Sequence, residues 1–212
     1  MRVIVTRPEG QGDELAEGLG RLGHEVVLCP LVRVEPLGHG PVDVEPYDWV
    51  IVTSANGAHE LARRIEGRPN RVAAVGPATA AALARHGLRV DLVPAVATQE
   101  GLLAELPLPA GSVLVAAAEG ARRLLVDELG ADFVPLYRTV ELRPEEPPVG
   151  DLVILASGSA ARVFAALRLD IPAVSIGPQT TAAAEAAGVR VVAEASTHDA
   201  QGILTAVARL VS

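Results

Sequence analysis

PLYRTVELRP (Pro135–Pro144) and PLVRVEP (Pro30–Pro36) open alike, and that match decides the fold. Pro30, Leu31 and Arg33 answer Pro135, Leu136 and Arg138. The longer run is β-forming through Tyr137, Thr139, Val140 and Leu142, and both runs are bounded by prolines. Each therefore reads as an extended segment that starts and stops sharply. Each follows an α/β unit, so the pair reads as two connectors between lobes. Tyr137, one of two tyrosines in the chain, lies in the second connector.

Outward from the connectors the chain repeats itself. Val3–Val5 is a short apolar strand, and a loop (TRPEGQG) and a helix marked by Leu15, Leu19 and Leu22 follow. Gly23 ends that helix, and Val26–Leu28 is a second strand. After the first connector and a loose segment comes DWVIVTSANG (Asp48–Gly57), a strand running into a Ser/Asn/Gly turn, with a helix over about 58–65. RVAAVGPATAAALARHGLRVDLVP (Arg71–Pro94) predicts strand, Gly-Pro turn, helix, glycine stop and strand, and TQEGLLAEL (Thr98–Leu106) a further short helix. Val3, Glu9, Gly10 and Gly20 then return at one constant spacing as Val113, Glu119, Gly120 and Gly130. Gly76, Pro77, Thr79, Gly87 and Gly101 return at another as Gly177, Pro178, Thr180, Gly188 and Gly202.

With the first β-loop-α-β unit (to Leu28) called A1, the stretch from Asp48 to Leu106 B1, the return from Gly111 to Arg138 A2 and that from Asp151 to Val207 B2, the chain reads A1-B1-A2-B2. Alternating strands and helices in every unit predict an α/β protein of two doubly wound parallel-sheet lobes, each flavodoxin-like. The repeat leaves open whether A1 joins B1 or B2. The matched connectors favour A1 with B2, which inserts the second lobe in the first. The expected division is residues 1–30 with 145–212, and 37–134, joined by 31–36 and 135–144.

Composition excludes several functions. Half the residues are hydrophobic, which supports real cores, yet only 2% are aromatic, too few for a base-stacking platform. A net charge of −8 lacks the basic footprint of a nucleic-acid binder. One cysteine, Cys29, excludes an internal disulfide, and its apolar setting (VVLCP) reads as a buried structural thiol. The five histidines show no ligand spacing, so no metal is expected. No apolar run approaches the ~20 residues of a membrane span, and no signal peptide is visible, so a cytoplasmic protein is expected.

Four turns at strand ends carry the candidate chemistry: Thr53-Ser54-Ala55-Asn56-Gly57, Gly76-Pro77-Ala78-Thr79, Ser157-Gly158-Ser159 and Gly177-Pro178-Gln179-Thr180-Thr181. In open α/β sheets ligands bind at that edge, where helix N-termini offer N–H groups to anions. Ordinary N-capping accounts for any single turn. Their recurrence across two lobes points to a ligand with anionic groups on several sides. Arg7, directly after the first strand, is either a cleft residue or a solvated surface arginine. Arg122 and Arg123 read as a solvated helix face. Tyr137 is either a packed hinge aromatic or, with a phenol that holds its proton at neutral pH, a proton donor. No phosphate loop, dinucleotide fingerprint, Ser-His-Asp set or Cys-His set is present, and lysine is absent. This pattern predicts a protein that positions a reactive small molecule without covalent catalysis.

VIVTRPEGQ, VTSANG, VGPATAAAL, VPLYRTV, ASGSA and IGPQTTAAAEAAG, in that order over essentially the whole chain, resemble the uroporphyrinogen-III synthase family. The resemblance implies a two-lobe α/β lyase with a two-stranded linker, a cytoplasmic monomer using no metal or organic cofactor. Its substrate class would be a polycarboxylate tetrapyrrole, hydroxymethylbilane. The family closes it to uroporphyrinogen III, inverting ring D through an azafulvene and a spiro intermediate, in haem and sirohaem biosynthesis. The resemblance also implies transient contact with the preceding pathway enzyme, and none with nucleic acid or membrane. By position it makes Tyr137 the catalytic candidate that assists hydroxide departure. It makes Thr79, Thr181, Ser54 and Ser157 cleft residues, with Arg7, Thr53, Gly76, Gly177 and Thr180 beside them as substrate-binding candidates. Two rival readings stand against this one. The first is a non-catalytic two-lobe binder of an anionic small molecule. The second is a sugar-phosphate enzyme, which would need an acid–base pair that the sequence does not show.

Overall fold

The computed structural model describes residues 1–210. The first half of the chain contains β1 (Arg2–Val5), α1 (Asp13–Arg21), β2 (Glu25–Leu28), β3 (Val32–Pro36), β4 (Val42–Asp43), β5 (Trp49–Val52), α2 (Ala55–Arg64), β6 (Ile65–Glu66), β7 (Val72–Ala74), α3 (Pro77–Arg85) and α4 (Gln99–Glu105). The second half contains β8 (Val113–Ala118), α5 (Leu124–Leu129), β9 (Asp132–Glu141), β10 (Leu152–Leu155), α6 (Gly158–Ala166), β11 (Ala173–Ser175), α7 (Pro178–Ala186), β12 (Val191–Glu194) and α8 (Ala200–Leu210).

The strands form two five-stranded sheets, ordered β12-β11-β10-β1-β2 and β3-β9-β8-β5-β7, and β4 and β6 pair as a small ribbon. In the first sheet every pair is parallel, with Val3 beside both Leu152 and Val26. In the second sheet β9, β8, β5 and β7 are parallel, with Trp49 beside Val113. β1 therefore pairs with β10, and β5 with β8. In both sheets the chain steps one way from the A strand (β1 or β8) and the other way through the B strands. That reversal creates a switch point whose strand ends favour ligand binding.

The chain divides into two compact units: Met1–Arg33 with the chain from Thr139 onward, and Val34–Arg138. Both divisions fall inside β3 and β9. The Leu37 N–H donates to Leu136 O at 2.8 Å and the Leu142 N–H to Leu31 O at 2.9 Å. One index rises as the other falls, the sense of an antiparallel pair.

Each unit buries a sheet between two helix layers. In the first, Ile4, Val153, Leu155 and fully buried Phe164 pack on the α6–α7 side, and Val3, Val5, Leu15, Leu19 and Ile203 on the α1–α8 side. Val3, Ile4 and Val5 alternate between the two cores because successive strand residues face opposite ways. In the second unit Val50, Val52, Leu61, Leu83 and Leu136 face α2 and α3, while Trp49, Ile51, Leu102 and Leu125 face α4 and α5.

Three local expectations need correction. The helix expected at 58–65 starts at Ala55, because the Ser54 hydroxyl accepts the Gly57 N–H at 3.0 Å and caps it. The strand expected after α3 shrinks to one parallel bridge between Ala73 and Leu92. There the Asp91 carboxylate accepts the Val72 N–H at 3.0 Å, a side-chain bond that competes with the ladder. Arg122 and Arg123 precede α5 rather than lie on its face. The Arg122 guanidinium is forked onto Glu100 at 2.6 and 3.1 Å and holds that carboxyl down at about 2. Arg123 lies 4.1 Å from the centre of the Phe133 ring.

Candidate functional site

In the second unit β9 carries Tyr137 along the edge of the α2–α3 core, where only 6% of its surface is exposed. β5 ends at Val52, and the turn brings the Ser54 hydroxyl to 2.9 Å from the Tyr137 hydroxyl. Ser54 has one proton to give and already accepts from Gly57. When that proton goes to Tyr137, the tyrosine O–H remains available to a third group. Burial raises the phenol above its ordinary value and the Ser54 hydrogen bond opposes the rise. Thr53 is half-buried beside this pair in sequence and makes no side-chain hydrogen bond among the described residues. The next strand end, after β7, carries Gly76 as the extended N-cap of α3, with Pro77 in its first turn and Thr79 buried at 5% exposure. A Cβ at Gly76 would come within 3.2 Å of the Ala97 methyl, so the backbone runs close to that loop.

In the first unit Thr6, directly after β1, is fully buried, its hydroxyl donating to Ile154 O at 2.7 Å. Arg7 follows, half-buried, with Glu14 as its charged neighbour. Desolvation lowers the Arg7 pKa below the ordinary arginine value, and Glu14 opposes it. No hydrogen bond or ion pair holds Arg7 among the described residues. Ser157 caps α6, accepting the Ala160 N–H at 3.2 Å, as Ser54 caps α2. Gly177 is the extended N-cap of α7 and lies under the His198 ring, where a Cβ would approach within 2.6 Å. Thr180 is buried at 5% exposure. The Thr181 hydroxyl lies 2.6 Å from that of fully buried Ser175 and donates to the Glu194 carboxylate.

The structure thus joins Tyr137 with Ser54 in one unit, and places Arg7, Ser157, Gly177, Thr180 and Thr181 at strand ends of the other. Ser175, Glu194 and His198 were missed. The repeats held a signal for the first two, since Ala74 and Val93 stand at their places. Val32, 4% exposed, stands where Tyr137 does, so Ser157 has no phenol beside it in its own unit. Arg138, matched to Arg33 in the connectors, is engaged with Glu35 at 2.8 and 2.9 Å. Burial raises the Cys29 thiol above its ordinary value. Among the described residues no three His, Cys, Asp or Glu side chains group as metal ligands, and no helix is long and apolar enough to cross a membrane.

Two α/β units, each with hydroxyl-bearing turns at its switch-point edge, define a class of doubly wound protein. Within that class the chain belongs to the HEM4 family, Uroporphyrinogen-III synthase HemD, whose profile matches residues 13–205. It is 31% identical to the porphyrin biosynthesis protein HemD of Ruminiclostridium josui over 93% of this chain, and spans about half (46%) the length of that protein. It is 25% identical to the uroporphyrinogen-III synthase of Synechococcus elongatus, covering 97% of this chain and 93% of that one. A crystal structure of a mutant uroporphyrinogen III synthase from the extremely thermophilic bacterium Thermus thermophilus shares the fold, with a TM-score of 0.66 at 18% identity. That match covers 100% of this chain and 98% of the other.

Proposed function

We propose that the chain closes hydroxymethylbilane to uroporphyrinogen III with inversion of ring D, as a lyase of tetrapyrrole biosynthesis. The observation that carries this reading is the part-buried Tyr137–Ser54 pair, set at 2.9 Å near the carboxyl end of β5. The Tyr137 O–H gives its proton to the departing terminal hydroxyl, which leaves as water, and the bilane becomes an electrophilic protonated azafulvene (an azafulvenium cation). Ser54 donates to the phenolate left behind and steadies it. The substituted carbon of ring D attacks, and the spiro intermediate fragments and recloses with the ring turned over. The proton released when the last pyrrole regains aromaticity returns to Tyr137, so one water is lost and the tyrosine is restored.

Holding the flexible bilane so that its ends meet is the larger task, worth up to ~7–11 kcal/mol in favourable cases. Carboxylates on every ring would be taken by Arg7 and by the turns bearing Thr53, Gly76, Thr79, Ser157, Gly177, Thr180 and Thr181. Incubation with freshly made hydroxymethylbilane, with products resolved by isomer, tests the reading. The III isomer is expected, and the spontaneous I isomer alone would leave a non-catalytic binder.

A further inference from the structure

The two units carry different side chains at one equivalent place. In the first, the hydroxyls of Ser175 and Thr181 lie 2.6 Å apart, and Thr181 is bonded to the Glu194 carboxylate. Ladder register sets the comparison: Val174 stands beside Ala193 and Ser175 beside Glu194, as Ala73 stands beside Leu92 in the second unit. The second unit therefore has Ala74, Ala80 and Val93 where the first has Ser175, Thr181 and Glu194. It folds the same strand and helix, with the following strand reduced to one bridge, and has no polar group at these positions, so the strand and helix do not demand the trio.

Ser175 is fully buried, Thr181 half-buried and Glu194 exposed, so the chain of oxygens runs from the core outward. Ser175 can donate to Thr181, and the single Thr181 proton has two acceptors, the Gly177 carbonyl at 3.3 Å and the Glu194 carboxylate, of which the charged one is the stronger. The acceptor that ends the chain is itself a carboxylate, the group that the proposed substrate bears on every ring. We infer that Glu194 is a specificity residue that acts as an internal stand-in for a ligand carboxylate. It holds the Thr181 hydroxyl until a carboxylate of a polycarboxylate tetrapyrrole displaces it. The inference rests on the proposed function. It adds that this subsite is matched to ligands whose carboxylates outcompete an intramolecular one. A neutral tetrapyrrole cannot displace Glu194, and one with fewer carboxylates does so less well.

The effect has a sign opposite to that of a structural role. Removing a side chain that only braces the edge weakens binding, whereas removing a competitor strengthens it. Uroporphyrin III, the air-stable oxidised octacarboxylate, serves as probe, titrated by its own fluorescence against the whole chain. Glu194→Val, which copies the second unit, is expected to bind about tenfold tighter than the parent, the order of one charge-assisted hydrogen bond. Glu194→Gln, nearly isosteric and a weaker acceptor, should fall between the two, and it carries the test if the valine variant lacks a cooperative melt. Adding Thr181→Val should abolish the gain, because the freed hydroxyl is then gone. A Glu194→Val or Glu194→Gln chain that binds no tighter than the parent overturns the inference. So does a gain that survives Thr181→Val, which would be general charge repulsion. Binding by none of the chains would sink the proposed function as well, whereas a parent that binds and a variant that does not improve would sink the stand-in alone.

Discussion

A phenol surrounded by core and touching one serine gives up its proton less readily than one in water, because its anion has lost most of its solvent. Burial holds the Tyr137 proton beyond the ordinary tyrosine value of 10. The stability linked to that proton is therefore complete below pH 10 and is lost as the pH rises through the folded value. In a Tyr47→Phe background, tyrosinate absorbance should show half-ionisation above pH 10, and a midpoint at or below 10 would show that the phenol is solvated. A proton so held suits an acid at neutral pH. Tyr137→Phe should then lower turnover by about 10²-fold or less, the low end for general acid catalysis, since the substrate also ionises unaided. It should still yield the III isomer with an intact fold. A variant as fast as its parent would leave Tyr137 a packing residue.

At the scale of elements, Ser54 and Ser157 cap corresponding helices by the same bond, at 3.0 and 3.2 Å. Alanine at either should cost about 1 kcal/mol of stability, read from denaturant melts. The kinetics should differ. Ser54→Ala removes the partner of Tyr137 and should lower kcat, while Ser157→Ala, with Val32 in the tyrosine's place, should appear in KM. Equal effects on kcat would separate Ser54 from the chemistry. Capping at both turns was legible, because serine before an apolar helix has a local physical cause, although the start of α2 was set late, at 58 instead of Ala55. The parallel α/β architecture was legible through matched glycines and prolines. The Tyr137–Ser54 contact was not, since it joins residues 83 apart and depends on how β9 and β5 flank β8. Nor was the loss of the strand after α3, where a single carboxylate, Asp91, takes a ladder N–H. Ser175 was not legible either, because only its partner six residues on gives it a role.

At the scale of the whole molecule, one unit is contiguous (Val34–Arg138) and the other is assembled from both ends of the chain. The contiguous unit has its own sheet and a core on each face of it. Residues 34–138 alone should therefore fold with a cooperative thermal transition and α/β circular dichroism, and a featureless melt would show that this unit depends on the other. Tyr137 and Ser54 both lie in that fragment, but the fragment should not make the III isomer, because Arg7, Ser157 and Thr181 belong to the other unit. On the proposed function, ring inversion is expected to need residues of both units. The most direct measurement of that function is the ratio of III to I isomer formed from hydroxymethylbilane as the chain's concentration is raised against the constant spontaneous closure. The account predicts a III fraction that climbs with chain concentration until it dominates. A product that stays the I isomer at every concentration would contradict it.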